Sequence, residues 1–231
     1  MIIGPIFPIS IIGDSSTGKT SLILQYTTSE FSENMSTTLG IDYFMKDVKC
    51  YNGKEYKIKI MDTAGQEQYH SMALHMLKLC KGILLVYSIT DKKSFENLES
   101  NWIKEINEFI DIKNIPIILI GNKKDLDKER EIEEKIGREF AGKYKLKFFE
   151  TSSKTGENVN LAFQELINDV IKINVEKIDI KEKDKNDNNN KDNNDINSNQ
   201  TYKLNKNALN NNNDHKVKKN VVKTFIILKY Y

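Results

Sequence analysis

Apolar positions along this 231-residue chain recur in two patterns. The first is the short continuous run: Ile9 to Ile12, then Gly82-Ile83-Leu84-Leu85-Val86-Tyr87, then Ile115-Pro116-Ile117-Ile118-Leu119-Ile120. Such runs mark strands buried on both faces, and Pro116 sits near a strand start, where a missing N–H is tolerable. The second is recurrence every three or four residues. Leu22, Ile23 and Tyr26 follow it, as do Phe95, Leu98, Trp102, Ile106 and Phe109, and Val159, Phe163, Leu166, Val170 and Ile173. These predict helices from Ser21, over Ser94–Ile110 and over Val159–Ile173, with Trp102 as core. Glu131 to Tyr144 reads as a charged helix. Ile41–Tyr51 and Glu55–Met61 read as strands joined at Asn52-Gly53, a hairpin signal, and Tyr56, Ile58 and Ile60 alternate with Lys57, Lys59 and Met61. Lys147 to Glu150 is a short strand, and Phe31 to Gly40 is a loop.

Strands alternating with helices predict an α/β fold: right-handed crossovers and a mostly parallel six-stranded sheet, one strand antiparallel, helices on both faces. In such a sheet ligands sit beyond the carboxyl ends of the strands. Each polar motif of this chain begins where a predicted strand ends.

The first is Gly13-Asp14-Ser15-Ser16-Thr17-Gly18-Lys19-Thr20, between the first strand and a helix. That is the order of a phosphate-binding loop, G-x-x-x-x-G-K-[ST]. Gly13 and Gly18 let the backbone turn its N–H groups toward phosphate oxygens, aided by the positive end of the next helix. Lys19 brings a full charge, and Thr20 a hydroxyl for the Mg²⁺ that accompanies phosphates. Alone, the motif specifies phosphate and no base.

The second is Asp62-Thr63-Ala64-Gly65-Gln66-Glu67. Asp62 can hold Mg²⁺ through water, the Gly65 N–H can meet a terminal phosphate, and Gln66 can orient an attacking water. Taken alone it equally suits an ordinary turn. The third, Asn122-Lys123-Lys124-Asp125, discriminates between bases. A carboxylate at Asp125 accepts two hydrogen bonds from guanine, whereas adenine would leave it unpaired, a difference of about 10⁴-fold. The stem of Lys123 can lie along the ring. Thr151-Ser152-Ser153-Lys154 would offer backbone N–H to the guanine 6-oxygen.

Composition narrows the partners. The first 180 residues hold 24 basic and 27 acidic side chains, so nothing marks them as a nucleic-acid binder. Cys50 and Cys80 form neither a disulfide framework nor a metal spacing and read as small hydrophobes of a reducing compartment. No apolar run reaches membrane-span length, and Met1 to Pro8 reads as the approach to the first strand, not as a signal peptide. Residues 186–213 include 14 asparagines and cannot bury enough apolar area to offset their ordering entropy. The expected division is therefore a folded domain over 1–175 and a disordered Asn/Lys/Asp-rich tail over 176–231.

From Ile9 to Ile173 the chain resembles the Ras-superfamily small GTPases, and within them the Rab family. Gly13–Thr20, Asp62–Gln66, Asn122–Asp125 and Thr151–Lys154 match in order, and Leu85-Val86-Tyr87-Ser88-Ile89-Thr90 is similar to a Rab strand. Thr37-Thr38-Leu39-Gly40-Ile41-Asp42-Tyr43 resembles the Rab effector-loop signature. The resemblance implies a GTP-binding and GTP-hydrolysing switch in vesicle trafficking. It implies nucleotide contacts from Gly13 through Ser21, Phe31, Thr38, Asp62, Gly65, Asn122, Lys123, Asp125, Ser152, Ser153 and Lys154. Gln66 is the catalytic residue by this resemblance, and Thr20, Thr38 and Asp62 are the Mg²⁺ set. Ser36, Thr37, Leu39, Gly40, Ile41, Asp42 and Tyr43 are its effector loop. Implied ligands and partners are GTP or GDP, Mg²⁺, an exchange factor, an activating protein and effectors, with a cytoplasmic location and peripheral contact on an endomembrane.

Departures from the family pattern bear on partners. Ser16 and Thr17 replace Gly-Val, and Ser153 replaces alanine. Met61 replaces a tryptophan and Tyr43 a phenylalanine, positions the resemblance assigns to the aromatic effector surface. Met76 to Cys80 replaces Tyr-Tyr-Arg-Gly-Ala. A softer effector surface follows, and no Rab subgroup's partners carry over. Arg130 and Arg138 are the only arginines, with no motif reason to reach phosphates, so slow intrinsic hydrolysis and a partner-supplied arginine are expected. No cysteine follows Cys80, so no C-terminal prenylation is expected, although Lys216 to Tyr231 holds five lysines, no acid and an apolar patch suited to an anionic membrane. Two other readings stay open: a slowly cycling guanine-nucleotide-dependent interaction module, and a P-loop kinase or ATPase.

Overall fold

The computed structural model describes residues 5–33, 38, 40–63, 77–110 and 115–175. Six strands form one sheet: β1 Ile6–Ile12, β2 Ile41–Lys49, β3 Glu55–Thr63, β4 Gly82–Ser88, β5 Ile117–Asn122 and β6 Lys147–Glu150. Their order is β2-β3-β1-β4-β5-β6. β2 runs antiparallel to β3, and every other pairing is parallel. The α/β sheet expected from the pattern is therefore the one observed. β1 lies at the point where successive strands pass to opposite sides, and the crevice beyond such a point is where α/β sheets take ligands.

Strand bounds differ from the sequence expectation where hydrogen bonding overrides hydropathy. β1 includes Pro8, whose carbonyl accepts from Lys81 N–H at 2.7 Å. The amide side of a strand residue faces the same way as its carbonyl, so the missing donor points just ahead of Gly82, where β4 has not begun. Pro116 likewise delays β5 to Ile117, and its carbonyl takes the Ile83 N–H at 3.0 Å. The hairpin closes at Cys50–Lys54, with Gly53 in the left-handed region at φ 75. β2 thus ends at Lys49, two residues early, while β3 runs on to Thr63 because β1 pairs with it through Ile11↔Asp62.

Helix α1 spans Lys19–Thr28. Helix α2 is composite: Lys92–Asn97, a π-helical turn at Leu98–Trp102, then Ile103–Phe109. It starts two residues ahead of Ser94 because Asp91 caps it, accepting from Lys93 N–H at 3.0 Å and Ser94 N–H at 3.3 Å. Helix α3 is Glu134–Tyr144. It does not begin at Glu131, because Glu133 is extended, at φ −64 and ψ 142, while the N–H groups of Glu131 and Ile132 both donate to Ile89 O. Helix α4 covers 159–175.

Two cores line the two sheet faces. Leu84 and Val86 join α1 (Leu22, Ile23) and α4 (Phe163, Leu166, Val170) on one side. On the other, Ile83, Leu85 and Tyr87 join α2 (Leu98, Trp102, Ile106) and α3 (Phe140, Ala141). A strand sandwiched this way needs an apolar residue at every position, which is why β4 shows no alternation. Stacked Tyr26 and Phe163 rings, 4.1 Å apart and 3° from parallel, fix α1 against α4.

Candidate functional site

A cleft of about 440 Å³ opens beyond the carboxyl ends of the strands. Ser15, Ser16, Gly18, Lys19, Thr20, Ser21, Phe31, Thr38, Lys123, Asp125, Ser153 and Lys154 line it. Five segments far apart in sequence therefore meet at one cleft. Gly13, Asp14, Thr17, Asp62, Asn122 and Ser152 are not in its lining; they hold it in shape. Ser36, Thr37, Leu39, Gly65 and Gln66, like residues 176–231, lie outside the described residues.

The loop between β1 and α1 is built from unusual backbone. Gly13 has φ 141, and a Cβ there would lie 2.1 Å from the Val86 carbonyl oxygen; at Gly18, with φ 88, it would lie 2.3 Å from Asn122 Nδ2. No other residue fits either position. Ser16 also occupies the left-handed region, at φ 61. Lys19, 6 % exposed, donates from Nζ to the carbonyls of Gly13 at 2.8 Å and Asp14 at 2.6 Å. Burial lowers its pKa to about 8, and the nearby carboxylates of Asp62 and Asp14 pull the other way. Thr17 Oγ1 donates to Asp14 O at 3.0 Å.

Three oxygens converge beside Lys19. Thr20 Oγ1 lies 2.8 Å from Thr38 Oγ1 and donates to Asp62 Oδ2 at 2.7 Å, and Thr38 Oγ1 reaches the same oxygen at 3.5 Å. Asp62 Oδ1 is buried with no hydrogen-bond partner among the described residues. Burial raises the Asp62 pKa, against the opposing pull of the Thr20 hydrogen bond and of Lys19. Two hydroxyls and a carboxylate with an unsatisfied oxygen form a hard-oxygen donor set, which fits Mg²⁺.

At the other end, Asn122 ties three segments together. Its Nδ2 donates to Thr17 O at 2.9 Å, and its Oδ1 accepts from Thr151 Oγ1 at 3.1 Å and Ser153 N–H at 3.2 Å. Ser152 Oγ donates to Asp125 Oδ1 at 2.6 Å. Lys123 turns the chain through a left-handed φ of 71, and Lys154 pairs with Glu33 at 2.7 Å beside Phe31.

Some contributors carry no sequence signal. Arg130 forms a two-pronged ion pair with the buried Glu150, at 2.6 and 2.8 Å, and also binds Asp127 at 2.7 Å. These contacts raise its pKa further, and they brace β6 behind the Asn122–Asp125 and Thr151–Lys154 loops. Trp102 is core, 3 % exposed, yet its indole N–H donates to Asp14 Oδ1 at 2.7 Å, and Asn97 Nδ2 donates to Asp14 Oδ2 at 2.6 Å. Only a π-helical turn brings those two donors together, and no propensity in the sequence marks it.

Of the effector-loop residues, Asp42 and Tyr43 are exposed, and Ile41 half-buried, on the outermost strand β2; Gly40 precedes them at φ 81. Tyr43 is 48 % exposed, with Lys59 Nζ 3.9 Å from its ring centroid. Met61, expected on the effector surface, is instead 2 % exposed and packs with Ile12 and Leu85. Its strand alternates, so Met61 faces the core opposite the one that holds Ile60. In the 76–80 segment Leu77 is buried too, Cys80 is buried as a small hydrophobe should be, Leu79 is exposed, and Met76 lies outside the described residues.

A model of the Ras family matches residues 9–172. The chain is 37 % identical over 166 residues to the Ras-related protein Rab-13 of Rattus norvegicus, an alignment covering 72 % of this chain and 80 % of that one. It is 36 % identical over 177 residues to the Ras-related protein Rab-10 of Diplobatis ommata, covering 77 % and 85 %. Against the Ras-related protein RABE1d of Arabidopsis thaliana it is 40 % identical over 172 residues, covering 74 % and 78 %.

Proposed function

The chain belongs to the Ras family as a Rab-like small GTPase, a GTP-binding and GTP-hydrolysing switch, and we propose how its residues run that switch. The observation that supports the assignment best is the Asn122 side chain, which joins the phosphate loop at Thr17 to the loop at Ser153. One residue thereby sets the distance between a phosphate subsite and a base subsite.

Phosphates lie against the backbone N–H groups from Gly13 to Ser21 and the positive end of α1, with Lys19 supplying charge. Thr20, Thr38 and Asp62 hold Mg²⁺, which neutralises phosphate charge when bound. Asp125 accepts two hydrogen bonds from guanine, its side chain fixed by Ser152. Lys123 and Phe31 cover the base and ribose, and the backbone at Ser153 and Lys154 meets the 6-oxygen.

Thr38 and Gly65 sense the terminal phosphate, and Gln66 orients the attacking water. Intrinsic turnover is slow, because Arg130 is committed to Glu150 and Asp127, and Arg138 to Glu134. An activating protein then supplies the missing arginine, for about 10³–10⁵-fold acceleration. Exchange factors and effectors act through the segment from Ser36 to Tyr43, on an endomembrane in vesicle trafficking. No helix among the described residues is long and apolar enough to cross a membrane. Residues 1–175 form the GTPase domain and 176–231 the tail. Single-turnover hydrolysis of GTP tests the catalytic part: Gln66→Leu is expected to lose about tenfold or more, and a variant as fast as the parent removes Gln66 from the mechanism.

A further inference from the structure

Asp14 puts a negative charge inside a loop built to cradle phosphate, where like charges repel. Its surroundings resolve the conflict. Both carboxylate oxygens are engaged by α2: Oδ1 by the Trp102 indole N–H at 2.7 Å and Oδ2 by the Asn97 amide at 2.6 Å. The backbone carbonyl of the same residue accepts from Lys19 Nζ at 2.6 Å and Thr17 Oγ1 at 3.0 Å. Asp14 thus receives four hydrogen bonds, two holding it to α2 and two binding it to the phosphate-contacting part of its own loop.

The helix is built for this contact. Residues 97 and 102 are five apart, which on a regular α-helix puts them about 140° apart around the axis. The π-helical turn Leu98–Trp102, closed by the Ile103 N–H donating to Leu98 O, brings such residues onto one side. A π-turn is rarer and less favourable than α-helix, and it tends to occur where a side chain must be re-aimed. Here the re-aimed groups are the two donors to Asp14.

We propose that Asp14, Asn97 and Trp102 form a clamp of positioning residues through which α2 holds the phosphate loop closed and so sets the dwell time of the bound nucleotide. The clamp rests on the guanine-nucleotide reading of the site. Asp14 touches no phosphate with its side chain; it fixes the carbonyl that receives Lys19 and keeps its own charge turned into α2. Trp102 is the single tryptophan of the chain, so its emission reports directly on whether the clamp is made.

The test uses the full chain loaded with GDP carrying a fluorescent N-methylanthraniloyl group on the ribose, excited directly so that Trp102 is not needed for the signal. Asp14→Ala, which removes both acceptor oxygens, and Trp102→Phe are each expected to release this nucleotide about tenfold faster, the loss of at least one charge-assisted hydrogen bond. The double variant should release no faster than Asp14→Ala, because the Trp102 bond is already absent in that variant. A purely structural role does not change tryptophan emission with nucleotide. The clamp does: emission of the parent shifts on release of unlabelled GDP, and that shift disappears in Asp14→Ala. Parent-like release rates in the folded variants, additive effects in the double variant, or an undiminished emission shift in Asp14→Ala would each overturn the clamp. If Trp102→Phe does not fold, Asp14→Ala decides by rate and emission. A parent protein that does not retain the labelled GDP contradicts the guanine-nucleotide reading instead.

Discussion

The hydroxyls of Thr20 and Thr38 lie 2.8 Å apart, although Thr20 begins a helix against the sheet and Thr38 stands in a loop eighteen residues further on. Both also reach Asp62 Oδ2. A loop held by such a contact reports on whatever occupies the space between it and the phosphates. Thr38→Ala is therefore expected to release a non-hydrolysable GTP analogue about tenfold faster, the worth of one partly buried hydrogen bond, while GDP release changes less than twofold. Stopped-flow displacement of the two labelled nucleotides measures the ratio. Equal acceleration of both would show that Thr38 does not sense the terminal phosphate.

Asp62 presents an unsatisfied carboxylate oxygen that a cation would pair. Its Oδ1 is buried without a hydrogen-bond partner among the described residues, and burial raises its pKa. A carboxyl with a raised folded-state pKa favours folding at pH below that value and loses this advantage as pH rises through it. In nucleotide-free, Mg²⁺-free protein near neutral pH, Asp62→Asn should leave stability unchanged or raise it by about 1 kcal/mol. The same change should abolish the response of nucleotide release to Mg²⁺, whereas chelating Mg²⁺ should speed GDP release from the parent about tenfold or more. Thermal unfolding with and without Mg²⁺ checks the first expectation and release kinetics the second; a destabilised Asp62→Asn that still responds to Mg²⁺ would refute the role.

Lys19 supplies a pH dependence of the opposite sense. Its folded-state pKa is about 8, below the ordinary 10.5, chiefly because it is buried. The unfolded chain therefore holds more protons between those values, and stability of the empty protein should rise with pH across that window. Phosphate binding favours the charged ammonium, so GDP affinity should fall about tenfold per pH unit above pH 8. Titration of labelled GDP from pH 7 to 9.5 measures this, and an affinity flat over that range would place the Lys19 pKa elsewhere.

How much of this was legible in the sequence follows from the kind of force involved. Continuous apolar runs gave β4 and β5 because burial on both faces demands them, and helical spacing gave the core of α2. The phosphate loop and the Asn122–Asp125 loop were recognisable because each chemistry needs those residue types in that order. Element ends were less legible. Pro8 fits inside β1 because β4 starts one residue later, and Glu131 is cut off from α3 by the extended backbone at Glu133 while its N–H ties to Ile89 O. Long-range polar ties were the least legible. Arg130 meets Glu150 across twenty residues, and Trp102 meets Asp14 across eighty-eight. Met61 carried the opposite lesson. Its place in a motif pointed to a surface, and the alternation of its own strand put it in the core.

In the reading proposed above Asp125 sets the identity of the base, and exchanging that one group tests the guanine switch most directly. On that reading its carboxylate would accept from the N1–H and 2-amino group of guanine, whereas xanthine replaces that amino group with a carbonyl and suits the amide of Asn. The measurement is competition against labelled GDP on the parent and on Asp125→Asn, with GDP, ADP and xanthosine diphosphate as competitors. The parent should prefer GDP over both rivals by about 10⁴-fold, and Asp125→Asn should lose affinity for GDP while gaining it for xanthosine diphosphate. ADP competing as well as GDP does on the parent, or an unchanged preference in Asp125→Asn, would contradict the account.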